Sequence, residues 1–467
     1  MWRSFIKYLL QISLQLYDSR GATPLIFAAA SNNFNLVKIL LESNVNINDI
    51  NEFGWTALMI SAAEGNIQIV NLLLDFGAIV DLSCPYGMNA LSFAAQEGRA
   101  AVCKLLLKFG SKDIRDNKGR SALLIASDKG NKDVCELLLD SGYQTESRNI
   151  DGYTALMLAA HAGNLSVVEL FIKRNGNINA STERGWTPLL LASKSGYESV
   201  VKVLLSAGCH VNARTANGWN SLLIASAMGH STICELLLDI GGIEKDLSTT
   251  DRLTALMMAS AAGHLEVVKV LIQHLCKLDI IDNIDHYTAL CYSCCKGFYE
   301  ITEILLDAGS NKETRTIENR TPLILATIAN QLEIVSLLIK SQVNVNAVDS
   351  DNNSSLHYAC KNGNIAIAVL LMQSGAILYA VNSSNKTCMD MCLFNHNHRL
   401  FHYLNEEGHS IYSNHIKDLN WNRRKSFILF LCGAFKNDTV DIVDDVKPLV
   451  SKVLRDQYIT RVIAKFL

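Results

Sequence analysis

Proline, blocks of like charge and long apolar runs are all scarce in this chain. Five prolines in 467 residues, with 49% hydrophobic residues, do not describe a disordered protein. No Lys/Arg cluster accompanies the formal net charge of −3, which argues against a nucleic-acid binder, because neutralising phosphates takes clustered cations. No stretch approaches 18 uninterrupted apolar residues, so no membrane span is expected. A Gly-rich phosphate loop, a nucleophile elbow and a His-Glu-x-x-His helix are also missing, and the Ser, His and Asp residues are accounted for by caps and turns. An enzyme is therefore not expected, and neither is a cofactor.

The thirteen cysteines follow no disulfide-framework spacing, which fits reduced thiols in a cytoplasmic or nuclear protein. The opening MWRSFIKYLLQISLQLYDSRG is basic and then apolar. Gln11 and Gln15 interrupt the apolar run and no small-residue cleavage site follows, so it is not read as a secretory signal.

What the sequence does contain is a period. Thr23, Thr56, Asn89, Ser121, Thr154, Thr187, Asn220, Thr254, Thr288, Thr321, Ser354 and Thr387 recur at spacings of 32 to 34 residues. All are side chains that accept a hydrogen bond from the free N–H groups of a helix start, so each is predicted to be an N-cap. Pro24, Pro188 and Pro322 follow directly, at the first helical position. Leu stands two residues after the first eleven caps, from Leu25 to Leu356. Small pairs such as Ala159-Ala160 and Ala192-Ser193 come next and allow a neighbouring helix to approach.

Nine residues after most caps stands a glycine, such as Gly65, Gly163, Gly196 or Gly229, with Asn32 and Asn330 in two units. These are the residues that most readily end a helix in the left-handed conformation. A second, amphipathic helix follows, with apolar pairs such as Val200-Val201 and Leu204-Leu205 on one stripe.

Thr-Pro-Leu, an Ala-Ala pair, Gly, a Val-Val and Leu-Leu helix, and a Gly-Ala-x-x-Asn ending as in Gly77-Ala78 or Gly208 to Asn212 resemble the ankyrin repeat. The resemblance covers about twelve units and over four-fifths of the chain. It implies an all-α repeat solenoid of helix-turn-helix units with short β-hairpin fingers. One unit cannot bury its stripe alone, so neighbours must stack. The expected organisation is an N-terminal capping half-unit at 1–22, where Phe5 to Leu10 copies the second-helix pattern, an array at 23–408 with a degenerate last unit, and a helical tail at 409–467.

Family members usually carry His three residues after the cap; here only His357 does, and the other first eleven units have Ile26, Met59, Ser92, Leu124, Met157, Leu190, Leu223, Met257, Cys291 and Ile324. That departure predicts an oilier interior and puts the usual polar network in question. Cys291, Cys294 and Cys295 look like a metal cluster, but by position Ser293 and Cys294 are a small packing pair. His396, His398 and His402 have no partner at structural-zinc spacing. No metal site is predicted.

In ankyrin-like arrays the residue before the cap and those seven and eight after it face the concave side. Here these include Trp55, Tyr153, Trp186, Trp219, Leu253 and Tyr287 before caps, and His161, Lys194 and Met228 on the first helices. This aromatic surface from Tyr153 to Ala262 is the expected site for a partner protein. The competing expectation is that the bulky residues only cover the next unit's turn. From Thr254 on, the glycine two before the cap gives way to Arg252, His286, Asn319, Asn352 and Asn385, which predicts a different finger geometry there and a division of the array.

The tail has ten Lys or Arg against six Asp, a net of +4. Its apolar segments, Trp421 to Leu431 and Leu449 to Leu467, suit either a C-terminal cap or a docking box resembling those that join ankyrin proteins to ubiquitin-ligase adaptors. The expected function is a non-catalytic scaffold or adaptor, with a ligase substrate receptor as the alternative.

Overall fold

The computed structural model describes residues 22–406. Among them 24 helices run as twelve pairs, from Pro24–Ala30 with Phe34–Glu42 to Cys388–Phe394 with His398–Glu406. First helices have seven or eight residues and second helices nine. The fold is an all-α repeat solenoid, and even the degenerate last unit forms both helices. All but Ala22 of the expected half-unit at 1–22 lies outside the described residues. So does the tail at 409–467, with both of its readings.

The local chemistry is visible at Thr187. Its backbone is extended (φ −114°, ψ 166°), and its Oγ1 accepts from the Leu190 N–H at 3.4 Å. Pro188 then starts a helix that Gly196 ends at φ +84°. Such a cap contributes about 1 kcal/mol. Asn32, Asn330 and His396 take the left-handed conformation in the three units that lack the glycine, at φ 51°, 58° and 58°.

The core is built from the predicted stripes. The leucine two after each of the first eleven caps is buried wherever described, and Val200, Val201 and Leu204 are almost wholly inaccessible. Within residues 22–250, and again within 251–406, each first helix packs on its own second helix and on the first helices beside it, so the apolar face of a repeat is closed by its neighbours. A fully buried leucine contributes about 1.5–3 kcal/mol, and that stabilisation is realised only in the stack.

The polar network three residues after the cap is kept in a changed form. Ser354 N–H donates to His357 Nδ1 (3.1 Å), and His357 Nε2 reaches the Ala380 carbonyl (3.1 Å). Where methionine replaces histidine, Met157 Sδ and Met257 Sδ accept from the Thr154 and Thr254 N–H groups at 3.5 and 3.4 Å. At Cys291 the sulfur accepts from Thr288 Oγ1 at 3.4 Å. A polarizable sulfur thus supplies the acceptor, and at Cys291 it also reaches Thr314 Oγ1 of the next unit at 3.6 Å, as His357 reaches Ala380.

The contacts divide the array into two compact units, one up to Thr250 and one from Asp251. The division falls just before Arg252, the first finger residue where glycine is replaced. The reason expected for a division is nevertheless corrected. Arg252, His286, Asn319, Asn352 and Asn385 all stay left-handed, at φ 57–60°, so the later fingers keep the same turn.

The β-hairpin fingers are also corrected, since no strand occurs among the described residues and only isolated bridges appear, such as Arg148 with Thr154. Each finger is too short for a ladder. Thr182 N–H donates to the Trp186 carbonyl (3.0 Å), and Gly185 N–H donates back to the Thr182 carbonyl (2.9 Å). The bonding continues between fingers instead: within the first unit from Ile150 N–H to Lys118 O (3.1 Å), and within the second from Ser350 N–H to Glu318 O (3.0 Å).

Candidate protein-binding face

The residue before each cap is held by the finger beneath it. Trp186 N–H donates to Thr182 Oγ1 (3.1 Å), Trp219 N–H to Thr215 Oγ1 (3.1 Å), and Tyr153 N–H to Asn149 Oδ1 (2.8 Å). These bonds pin the backbone and point successive aromatic side chains along the edge of the first helices.

In the first unit, Trp186 and Tyr153 lie half-buried on a cluster of Met157, Ala180 and Leu191. Lys194, eight residues from Trp186 on the following helix, sets its ammonium 5.2 Å from the Trp186 ring centroid. His161 Nδ1 and Ser195 Oγ, from successive first helices, are 3.2 Å apart. Trp219 is half-buried and Met228 is 49% exposed. Tyr153, His161, Trp186 and Lys194 are therefore brought together.

Trp55 behaves differently. Its ring meets Phe93 of the next unit edge-on at 5.1 Å and Phe53 at 5.9 Å, and its indole N–H is buried with no hydrogen-bond partner. It covers a neighbour, as the competing expectation had it.

In the second unit Leu253 is half-buried. Tyr287 packs edge-on against Tyr292 at 5.3 Å, and Tyr292 donates its hydroxyl to Asp282 Oδ2 at 2.7 Å. Burial raises both phenols above their ordinary pKa, with Asp282 adding to the effect at Tyr292. Tyr358 repeats the pattern: it donates to Asp349 Oδ2 at 2.5 Å, and burial and that carboxylate push its pKa up to about 12. The Arg320 guanidinium lies 5.8 Å from the Tyr358 ring centroid. Ser293 and Cys294 are fully buried as the predicted packing pair, and Thr302 Oγ1 donates to Ser293 Oγ (2.9 Å). Among the described residues no three His, Cys, Asp or Glu side chains are grouped to hold a metal.

Two positions that the sequence reading overlooked tie the units together. The residue ten after the cap reaches back to the previous first helix: Asn164 Nδ2 donates to the Ser127 and Asp128 carbonyls at 2.8 and 2.9 Å, and Asn131 does the same to Ala95 and Gln96. The residue six before the cap links fingers, as where Arg148 Nη1 donates to the Gly152 and Ser181 carbonyls at 2.8 Å. Both recur at a fixed offset, as Arg115, Arg148, Arg214 and Arg315 do, and that recurrence was the available signal.

The family model described as ankyrin repeats (3 copies) matches residues 3–84, 76–149, 141–215, 177–249, 222–316 and 308–382. The chain belongs to the ankyrin-repeat family. Ankyrin repeats generally mediate protein–protein interaction. Among solved structures, the crystal structure of the human ASB11 ankyrin repeat domain is similar at 24% identity and a TM-score of 0.45, covering 48% of this chain and 99% of that one. No curated protein matches the chain. No helix among the described residues is long and apolar enough to cross a membrane.

Proposed function

We propose that this ankyrin-repeat chain is a non-catalytic scaffold of the cytoplasm or nucleus that binds a partner protein through Tyr153, His161, Trp186, Lys194, Trp219 and Met228. In the second unit, Leu253 and Tyr287 are proposed as partner-binding residues in their own right. The observation that supports this is the setting of Trp186, an indole half-buried on Met157 and Leu191 with a lysine over its ring. A rigid aromatic anchor of this kind loses little conformational freedom on binding, and such anchors dominate interface energetics.

The test compares affinity capture from lysate by the full chain and by the Trp186→Ala, Trp219→Ala double variant, after circular dichroism has shown that the variant is folded. Loss of specific captured proteins is expected. Identical captured sets would end the proposal.

A further inference from the structure

One second helix differs from all the others described. Ile365–Gln373, IAIAVLLMQ, carries no charged residue, whereas every other described second helix carries at least one. Ile367, Ala368, Leu371 and Met372 face the core and are buried. The opposite side is just as apolar: Ile365 and Ala366 are exposed, and Val369 and Leu370 are only half-buried. A helix that is apolar all round is ordinarily covered all round.

This side borders an open cavity of about 480 Å³ whose apolar lining is Tyr299, Leu332, Leu337, Ala366, Val369 and Leu370, with Glu333, Ser336, Lys340 and Gln373 as its polar lining. The two preceding second helices, Tyr299–Asp307 and Leu332–Lys340, carry four carboxylates, Glu300, Glu303, Asp307 and Glu333, against one ammonium, Lys340.

The chain holds a segment of complementary chemistry. Ile459, Val462, Ile463, Phe466 and Leu467 stand at the spacing of a single helical stripe, and Leu449 to Leu467 has four cations, Lys452, Arg455, Arg461 and Lys465, against Asp456. A helix this short is marginal alone in water and needs an apolar surface. Its stripe would run about 12 Å at 1.5 Å per residue, enough to cross two helices packed about 8–10 Å apart. The chain between Glu406 and Leu449, at about 3.3 Å per extended residue, reaches the surface of the same unit.

We propose that the second-helix face formed by Leu332, Leu337, Val369 and Leu370 is the docking site of the chain's own segment Leu449–Leu467, packed as an amphipathic helix with its cations toward Glu300, Glu303 and Glu333. The segment then covers the flank of the array rather than its end, and the binding edge stays free.

Hydroxyl-radical footprinting of the full chain tests this, with the monomer established by light scattering. Leu332, Leu337, Val369 and Leu370 are expected to be shielded in the wild type. They are expected to be oxidised several-fold more in the Val462→Asp, Phe466→Asp variant, with Phe76 and Phe109 unchanged. A second variant, Arg461→Glu with Lys465→Glu, leaves the apolar stripe intact and is expected to raise the same four signals, as is high salt in the wild type. Equal labelling of the four residues in the wild type and both variants would overturn the proposal. So would shielding that disappears on dilution together with a dimer mass, since a second copy would then be the occupant.

Discussion

Lys194 and Trp186 are eight residues apart in sequence, and the ammonium of the one sits 5.2 Å from the ring centroid of the other. Trp186 precedes the N-cap while Lys194 lies in the last turn of the helix that the cap begins, so the helix itself sets the pair's separation. An exposed cation over an indole is worth about 0.5–1 kcal/mol. A double-mutant cycle of Trp186→Leu and Lys194→Met, followed by urea unfolding, should show a coupling energy of that size. A coupling of zero would mean that the lysine is merely near the ring, leaving Trp186 without this support.

Gly185 turns the finger below Trp186 at φ +78°, and a Cβ there would meet the Arg214 carbonyl oxygen at 2.6 Å. Gly208 has a similar φ of +79° with nothing within 4 Å. The left-handed conformation alone costs a non-glycine residue about 1–2 kcal/mol. Gly208→Ala should lose about that much, and Gly185→Ala about 1–2 kcal/mol more, since backbone must move. Equal losses in chemical denaturation would show that the close approach of the fingers carries no energy.

Asn164 Nδ2 satisfies two carbonyls at the end of the preceding first helix, Ser127 O and Asp128 O. Leaving such acceptors unpaired costs about 1–3 kcal/mol. Asn164→Ala is expected to destabilise by that amount. Asn164→Asp should be worse, because a carboxylate cannot donate and faces two carbonyl oxygens. Thermal melts that rank Asp above Ala would contradict the donor role.

His357 is buried, and burial lowers its pKa below the usual 6.5, opposed by its bonds to backbone and by Asp349. The neutral ring accepts from Ser354 N–H at Nδ1 and so donates from Nε2 to Ala380 O. In the unfolded chain the ring binds a proton more readily. The histidine's contribution to stability is therefore complete above pH 6.5 and is lost as pH falls toward its lower folded pKa. Replacement by methionine, the residue at Met157 and Met257, should flatten this part of the pH dependence. The check is the difference in urea midpoints between pH 7 and pH 5 for wild type and His357→Met; equal differences would count against it.

Most of the fold can be read along the chain because its signals are local. Thr187, Pro188, Leu189 and Gly196 each act within one helix, through a cap, a fixed φ, a buried side chain and a left-handed end, and the recurrence of the cap in twelve units, with leucine after it in eleven, removes ambiguity. The binding face is legible only as a set of positions. At the same place before the cap, Trp55 is folded over Phe93 of the following unit, whereas Trp186 lies on the preceding unit's Met157 with Lys194 above it.

What the sequence by itself determined, then, is the period, the helix ends and the buried stripes, because each depends on chemistry within a few residues. The tertiary structure alone decided that Arg252 and His286 turn like glycine, that fingers bond to one another without strands, and that a methionine sulfur replaces the histidine acceptor. It also decided what each tryptophan packs against, Phe93 for Trp55 and Met157, Leu191 and Lys194 for Trp186. The methionine bond is local, three residues along the chain, but the finger bonds and the tryptophan settings depend on atoms about one repeat away, whose approach is set by how closely the small residues let successive helices stack.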